Sequence, residues 1–259
     1  MQQTVSRPGT LIQSVQRASA LLKAFEGEAS ELGVSELGRK VKLHKSTVSR
    51  LLATLESEGL VERAPGTDKY RLGYEFARLA RQVPHFGDVR EAARPFLAEL
   101  AELSHETANL AVRDGDEVIN VEQASGPHLI GVGNWVGRRT PLHCVANGKV
   151  LLAFQSEAEI KRLLGHALPK FTKQTITGKT ALRTELARVR EKGYAIARGE
   201  MEDGLNAIAA PIREGQGNVI AAVSLSGPAF RLTPEQMAKL EPLTVEMAKK
   251  ISARLGFTA

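Results

Sequence analysis

One pair of adjacent residues, His143 and Cys144, could supply a base and a nucleophile to the same reaction. Adjacent side chains usually point apart, and no acidic residue stands at a spacing that would orient the histidine. We therefore favour a buried, unreactive cysteine, with an enzyme centred on Cys144 as the alternative. A single cysteine can form neither an internal disulfide nor a multi-cysteine zinc site.

The remaining histidines and the glycine-bearing loops indicate no second kind of reactive site. The other five histidines are His44, His85, His105, His128 and His166. They lack the spacing of metal ligands, so we expect no structural zinc, and we expect no cofactor. The segments GVGNWVG and REGQGN lack the phosphate-binding pattern that leads into a helix. The sequence therefore predicts a protein that is not an enzyme.

The stretch between Glu36 and Glu56 is distinguished by its charge. It contains no acidic residue, and its cationic side chains are Arg39, Lys40, Lys42, Lys45 and Arg50. The whole chain has a formal net charge of +6, and residues 1–82 carry 13 basic against 9 acidic side chains. Most of the positive excess thus lies in the first third of the chain. Such a stretch suits a surface that faces phosphates, although charge alone fits a solvated basic face equally well.

Hydrophobic spacing predicts three helices and a hairpin around this stretch. Helical periodicity marks a first helix over 11–25, a second over 34–41 and a third from near Lys45, with a tight turn at 42–44. The outward face of the third helix carries short or hydroxyl side chains and Arg50, which is typical of a helix that enters the major groove. Two β-prone pieces, 60–63 and 69–72, predict a wing, or alternatively a plain hairpin that closes the helical core.

These elements together predict an N-terminal domain over 1–72 whose residues 11–72 form a winged helix-turn-helix that binds double-stranded DNA. The residues expected to contact DNA are His44, Lys45, Ser46, Thr47, Ser49, Arg50, Arg63, Lys69 and Arg71. Apolar residues that follow predict a linker helix over 73–84, interrupted at Val83–Pro84.

Residues 85–259 alternate helical and strand patterns, which predicts an antiparallel α+β domain. A hairpin is expected over 107–124, turning at Asp114–Gly115. Further strands are expected over 126–133, 194–197, 205–212 and 219–226. Helices are expected over 89–104, 144–154, 157–164 and 180–192, and from Thr233 towards Leu255. In the last strand, alternation places Ala222, Ser224 and Ser226 on one face, which predicts a hollow lined by hydroxyl groups.

The sequence resembles the IclR family of bacterial transcription regulators over nearly its whole length. In the first domain the resemblance lies in LGVSELGRKVKLHKSTVSRLLATLESEGLVER and YRLG. In the second it lies in PLHCVANGKVLLA, GYAIARGEMEDGLNAIAAPI and AAVSLSGP. It implies a sequence-specific regulator whose C-terminal, GAF-like domain binds a small organic effector. It also implies that the linker helix pairs subunits into a homodimer or homotetramer on a near-palindromic operator.

The resemblance further implies an effector pocket around the serines of the last strand. The residues it places in or near that pocket are Gly131, Val132, Trp135, Cys144, Val145, Glu200, Asn206, Ala207, Ser224 and Ser226. The sequence departs from many relatives at 197–199, where polar or acidic side chains are common, and at Ala207, where a cysteine is common. With Trp135 nearby, these departures favour an aromatic or bulkier organic acid over a small 2-oxo acid.

No apolar run approaches the roughly 20 residues that cross a bilayer, and the first ten residues hold no apolar core of a signal peptide. We therefore expect a cytoplasmic protein with no membrane partner. A nonspecific DNA-associated protein remains an alternative to a specific regulator. The sequence leaves open the effector, the operator, the sign of control, and the choice between dimer and tetramer.

Overall fold

A computed structural model describes residues 11–26, 30–80 and 86–258, which belong to two compact units, 1–84 and 85–259. Three predicted features fall partly or wholly outside the described residues: the start of the N-terminal domain, the end of the linker helix with Val83–Pro84, and His85. The N-terminal unit has one hydrophobic core and the C-terminal unit has two. Among the described helices, none is both long enough and apolar enough to span a bilayer.

The N-terminal unit is a helix-turn-helix followed by a hairpin. Its described elements are α1 (Gln13–Lys23), α2 (Val34–Val41), α3 (Lys45–Ser57), β1 (Val61–Arg63), β2 (Tyr70–Leu72) and α4 (Glu75–Ala80). The fully buried side chains of Leu21, Leu37 and Leu52 join the first three helices in one core. Lys42 adopts the left-handed conformation, with φ 53°, and ends α2 two residues before His44 caps α3. The hairpin β1–β2 occupies the position predicted for the wing.

The first helix is shorter than its apolar pattern suggested. It begins at Gln13, and Leu11 and Val15 are 70% and 59% exposed although the pattern placed them on the buried face. Only the later positions of the pattern, from Ala18 to Phe25, pack in the core. Periodicity identifies the residues that share a face, but it does not show how far along that face the core extends.

The C-terminal unit contains a mixed arrangement of helices around one antiparallel sheet. Its described helices are α5 (Phe86–Ser104), α6 (Ala146–Ala153), α7 (Glu157–Leu164), α8 (Lys179–Lys192) and α9 (Pro234–Arg254). Its described strands are β3 (Thr107–Asp114), β4 (Glu117–Ala124), β5 (Arg139–Pro141), β6 (Ala195–Arg198), β7 (Leu205–Arg213) and β8 (Val219–Pro228). The strand order is β5–β4–β3–β8–β7–β6. The fold class is therefore α+β, as the alternating patterns predicted.

The sheet separates two hydrophobic cores. Val223 and Leu225 of β8 face the core formed with α5 and α9, which includes Leu97. Ala222, one residue out of phase, faces the core formed with α6, α7 and α8, which includes Val150. The alternation predicted for this strand is confirmed, and it decides which side chains reach the space beneath α6.

The structure of this unit differs from the sequence-based predictions at three places. Residues 126–133 form no strand, because glycine and proline interrupt the segment and leave Leu129 and Ile130 exposed rather than packed. The three-residue strand β5 was missed, since so short a piece carries no periodicity. The first hairpin turns at Gly115 and Asp116, one residue later than expected, because Asp114 still pairs with Glu117.

We expect Leu52→Ala to destabilise the N-terminal unit by about 2–5 kcal/mol, because it opens a cavity in a closely packed core. The fully buried Leu52 contrasts with Leu72, which is 45% exposed in the wing and provides the matched control Leu72→Ala. Hydrogen exchange of the α1–α3 amides in the full chain measures the loss of protection. Equal protection in both variants would contradict the assigned core.

Candidate functional site

The exposed face of α3 is the first candidate surface. Ser46, Ser49, Arg50 and Ala53 are exposed on it, whereas Thr47 is half-buried. Neither Arg50 nor the exposed Lys45 pairs with a carboxylate in the described part of the chain. Their positive charges are therefore available to an external partner.

The start of α3 is fixed by His44. Its Nδ1 accepts a hydrogen bond from the Ser46 backbone N–H at 3.4 Å and lies 2.9 Å from the Ser46 hydroxyl oxygen. A side chain that caps the first turn satisfies an N–H that would otherwise lack a partner. His44 thus stabilises the first turn of α3, the helix that carries Ser46, Ser49 and Arg50. Its own side chain is also exposed.

The three cationic side chains of the wing differ in whether they pair with a carboxylate. The Arg71 Nε donates to Glu62 Oε1 at 2.6 Å across the hairpin. Arg63 lies 3.6 Å from a Glu56 carboxylate oxygen and stacks over the Tyr70 ring at 5.2 Å. Lys69 is exposed and makes no ion pair within the described residues. Of the three predicted wing contacts, Lys69 is the one whose charge is unpaired.

The second candidate is a cavity of about 60 Å³ between the sheet and the start of α6. Its lining residues come from β3, β4, β5, β7 and β8, from α6 and from the loop before β5: Asn109, Val118, Asn120, Trp135, Thr140, Val145, Ala146, Asn147, Leu205, Ala207, Ser224 and Ser226. We call it the sheet cavity. It contains hydroxyl and amide groups but no charged side chain.

Several polar atoms in the sheet cavity have no partner. The Asn109 Oδ1, the Thr140 Oγ1 and the Asn147 Oδ1 are buried, and none of them has a hydrogen-bond partner in the part of the chain that the structure describes. Asn109 is held in place by its Nδ2, which donates to the Ser226 hydroxyl at 2.9 Å. Leaving a buried polar group without a hydrogen bond costs about 1–3 kcal/mol. Several such groups in one cavity therefore indicate that a ligand or water forms the missing hydrogen bonds.

The N-terminus of α6 faces this cavity through Val145, Ala146 and Asn147. Val145 is the N-cap residue, and no side chain caps the helix. The chain comes close to itself here, since a Cβ on Gly148 would lie only 2.2 Å from the Leu142 carbonyl oxygen. An uncapped helix N-terminus carries partial positive charge and free N–H donors, which suits a carboxylate.

Trp135 closes one side of the sheet cavity and is positioned by Gln123. The Gln123 Nε2 donates to the Gly133 carbonyl oxygen at 2.9 Å, and its Oε1 accepts from the Trp135 N–H at 2.9 Å. The Trp135 indole N–H donates to the Val132 carbonyl oxygen at 2.6 Å. These bonds give an otherwise irregular loop a defined conformation over the cavity.

Comparisons with known proteins agree over both units. The model of the IclR helix-turn-helix domain matches residues 14–65, and that of the "Bacterial transcriptional regulator IclR C-terminal" matches residues 82–253. The Escherichia coli HTH-type transcriptional regulator XynR is 35% identical over 250 residues, covering 96% of this chain and 99% of XynR. The E. coli repressor AllR is 32% identical over 95% of this chain and 92% of its own.

The chain belongs to the IclR family.

Solved structures of IclR proteins share the fold. An IclR homologue from Microbacterium hydrocarbonoxydans, complexed with 4-hydroxybenzoate, superposes with a TM-score of 0.80 at 29% identity, covering 94% of this chain and 99% of that one. The Thermotoga maritima IclR superposes with a TM-score of 0.76 at 29% identity, over 94% and 99% of the two chains. Its relatives are named regulators, and this IclR protein is a transcription regulator rather than an enzyme.

The sheet cavity gathers only some of the residues that the IclR resemblance placed around the effector. Trp135, Val145, Ala207, Ser224 and Ser226 line it. Gly131 and Val132 line neighbouring hollows beside the loop instead.

Asn206, Glu200 and Cys144 lie elsewhere. Asn206 is on the opposite face of β7 from Ala207, and its Nδ2 donates to the Leu232 carbonyl oxygen at 2.9 Å. The Glu200 Oε1 accepts from the buried Lys149 Nζ at 2.6 Å. Burial raises the pKa of Glu200, and the adjacent Lys149 opposes that rise. These three residues shape the surrounding framework rather than the wall of the sheet cavity.

Three of the four polar cavity residues that sequence reasoning missed are amides. Asn109, Asn120 and Asn147 lie within apolar runs of β3, β4 and α6 and are nevertheless buried. The available signal was that an asparagine in such a run must face either a partner or a ligand. Thr140 had no such signal, because β5 is too short for a pattern.

Cys144 has the environment of an inert thiol. It is fully buried, and its Sγ contacts the Pro141 carbonyl oxygen at 3.6 Å and the Met201 Sδ at 3.5 Å. The His143 Nε2 lies 2.9 Å from the Pro169 carbonyl oxygen, so that nitrogen is engaged by the backbone. Burial raises the pKa of Cys144 to about 12. Within the described residues, no cluster of His, Cys, Asp and Glu is arranged to hold a metal ion.

We expect native Cys144 to resist iodoacetamide at pH 8. The thiolate is the reactive form, and a pKa of about 12 leaves roughly one molecule in 10⁴ as thiolate at that pH. Mass spectrometry of the alkylated protein measures the rate, with the guanidinium-unfolded chain as control. Alkylation of the folded protein as fast as the unfolded one would contradict the buried, protonated thiol.

Proposed function

We propose that this IclR protein binds a specific, near-palindromic site on double-stranded DNA and that a small organic acid in the sheet cavity controls that binding. The observation that carries the proposal is the acid-free exposed face of α3, whose Lys45 and Arg50 have no carboxylate partner in the described residues. A regulator of this kind acts in the cytoplasm, where its operator lies.

In this proposal α3 reads the major groove. Arg50 donates to a guanine edge, the commonest specific contact of an arginine, while Ser46, Thr47 and Ser49 contact bases or phosphates at close range. Lys45 and Lys69 contact the phosphate backbone, and His44 holds the start of the helix as well as facing the DNA. Two wing arginines, Arg63 and Arg71, contact the backbone after exchanging carboxylate partners for phosphates.

The protein acts as a homodimer or homotetramer in this proposal. Support comes from large apolar side chains that remain exposed on α1 and α4 or just before them: Leu11, Ile12, Val15, Tyr74 and Leu79. Burying such side chains against a second copy stabilises the dimer. Paired recognition helices would then reach half-sites about 34 Å apart, which explains why a near-palindromic operator is expected.

The effector is an organic acid in this proposal. The α6 N-terminus and the hydroxyl groups of Ser224 and Ser226 receive its carboxylate, because the cavity offers neutral donors and no side-chain cation. The unpaired oxygens of Asn109, Thr140 and Asn147 form hydrogen bonds with the rest of the ligand.

The volume of the sheet cavity favours a small ligand. About 60 Å³ holds roughly four to six water-sized groups. An aromatic acid, such as the hydroxybenzoate held by the M. hydrocarbonoxydans relative, therefore enters only if Trp135 moves outward. Control of DNA binding follows if the ligand binds the DNA-competent and incompetent arrangements with different affinities.

Substituting Arg50→Ala should weaken binding to the preferred site by about 1–3 kcal/mol and relax the sequence preference at one position of each half-site. The matched substitution Lys69→Ala should weaken binding to all sequences alike and reduce the salt slope by about one. Selection of sites from random DNA by both variants measures the difference. An Arg50→Ala protein that selects the same sites with unchanged affinity would remove Arg50 from the reading face.

Substituting Thr140→Val should leave the free protein as stable or more stable, because a buried hydroxyl without a partner is removed at nearly constant shape. It should also reduce the rise in Tm that an added acid causes. Thermal unfolding with pyruvate, benzoate and 4-hydroxybenzoate measures both effects.

The control for this experiment is Thr244→Val. The Thr244 hydroxyl is equally buried but donates to the Leu240 carbonyl oxygen at 2.9 Å. That variant should lose stability and keep the full ligand-induced shift. A full shift in Thr140→Val as well would place the ligand elsewhere, and stabilisation by 2-oxo acids alone would exclude the aromatic class.

A further inference from the structure

The C-terminal unit has a second, much larger hollow that shares no lining residue with the sheet cavity. It encloses about 630 Å³ between the ends of α6 and α8, strand β7, helix α9 and the segment after α9. Its lining residues are Phe154, Arg190, Lys192, Gly193, Ala210, Pro211, Arg213, Val245, Ala248, Lys249, Ser252, Ala253, Phe257 and Thr258. We call it the α9 groove.

Two aromatic rings and several aliphatic side chains form the apolar part of the α9 groove. Arg213 lies between the rings, with its guanidinium carbon 4.7 Å from the Phe154 centroid and 5.8 Å from the Phe257 centroid. The Arg213 Nη1 donates to the Gly217 carbonyl oxygen at 2.7 Å. The guanidinium is thus held over an apolar surface while its remaining N–H groups stay available.

The charge in the α9 groove is positive and unbalanced. Four of its lining residues are cationic, Arg190, Lys192, Arg213 and Lys249, and none of its lining residues is acidic. No ion pair joins any of the four to a carboxylate in the described part of the chain.

Several other arginines of the unit pair with carboxylates. Arg113 pairs with Glu159, Arg162 with Asp116 and Arg231 with Glu106. The α9 groove instead brings together four cations that form no such pair within the described residues, beside an apolar surface. An anion with an apolar body satisfies both features at once, because its charge meets Arg213 and the lysines while its body covers the rings.

We propose that the α9 groove is a second small-molecule site, which binds an organic anion with an aromatic or aliphatic body. Its volume lies within the roughly 300–1,000 Å³ of ligand pockets, and it combines an apolar floor with a few placed polar groups, as such pockets do. The sheet cavity differs on both counts, being about tenfold smaller and without a side-chain cation. This site goes beyond the proposed function, which requires only the sheet cavity.

The test uses 8-anilinonaphthalene-1-sulfonate, an anion with an apolar body whose fluorescence rises when it leaves water, titrated into the full chain. The double variant Lys192→Glu with Lys249→Glu reverses two exposed charges in the groove. The matched control, Lys161→Glu with Lys239→Glu, makes the same change at two exposed lysines outside both hollows. Circular dichroism checks that each variant is folded, and the milder Lys249→Gln gives a second reading.

We expect saturable binding to the unmodified chain, at least about tenfold weaker binding to the groove variant, a smaller loss with Lys249→Gln, and little change with the control. Equal affinity in all variants, an equal loss in groove variant and control, or no saturable binding up to millimolar probe would overturn the proposal. DNA binding without the probe is measured in parallel, so a failure of this site is distinguished from a failure of the regulator assignment.

Discussion

Strand β8 is buried on both faces, and the placement of the helices on either side of the sheet follows from that burial. Val223 and Leu225 fill the side packed by α5 and α9, so the alternate residues must face α6. Those residues are Ala222, Ser224 and Ser226, which are too small to fill the space beneath a helix. The sheet cavity is the volume that they leave. One ten-residue strand thereby contributes to the core beside α5 and α9 on one face, and to both the second core and the polar hollow on the other.

The position of α6 determines what that hollow can bind. Gly148 allows the helix to approach the Leu142 backbone, which a larger residue would prevent. Lys149, one residue later, is buried and donates to the Glu200 carboxylate and to the Ile196 carbonyl oxygen. This ion pair fixes α6 to β6 and to the residues after it, so the uncapped N-terminus is held over the sheet. Lys149 also pairs with Glu185 at 3.3 Å, so removing the lysine would leave the buried Glu200 carboxylate without its cation, which costs about 3–5 kcal/mol.

Much of this arrangement could be predicted from the sequence, for physical reasons that also explain the failures. The helix-turn-helix, most helices of the C-terminal unit and the alternation of β8 follow from periodicity, which records burial directly. The pattern failed at 126–133, where Leu129 and Ile130 are apolar but have nothing to pack against. The cavity wall was only half recovered. Ser224 and Ser226 were found from one strand, whereas Asn109 and Thr140 come from strands whose pairing with β8 or β4 no local pattern reveals.

The N-terminal unit depends on a similar division of one element into two faces. Val48, Leu52 and Leu55 of α3 pack in the core. Ser46, Ser49 and Arg50 lie on the exposed face of the same helix, outside that core. A recognition surface and a folding surface thus share one helix. The same separation leaves Lys45 and Arg50 exposed, and neither pairs with a carboxylate among the described residues.

Fluorescence anisotropy on DNA from upstream of the protein's own gene, compared with scrambled DNA across a salt series, tests the central claim most directly. The account predicts tighter binding to the upstream DNA, with a difference in affinity that persists at moderate salt because base contacts do not depend on counterion release. Equal and steeply salt-dependent binding to both DNAs would mean that the protein contacts these fragments only through electrostatic attraction to phosphates. Failure to bind either DNA at low salt would contradict the account.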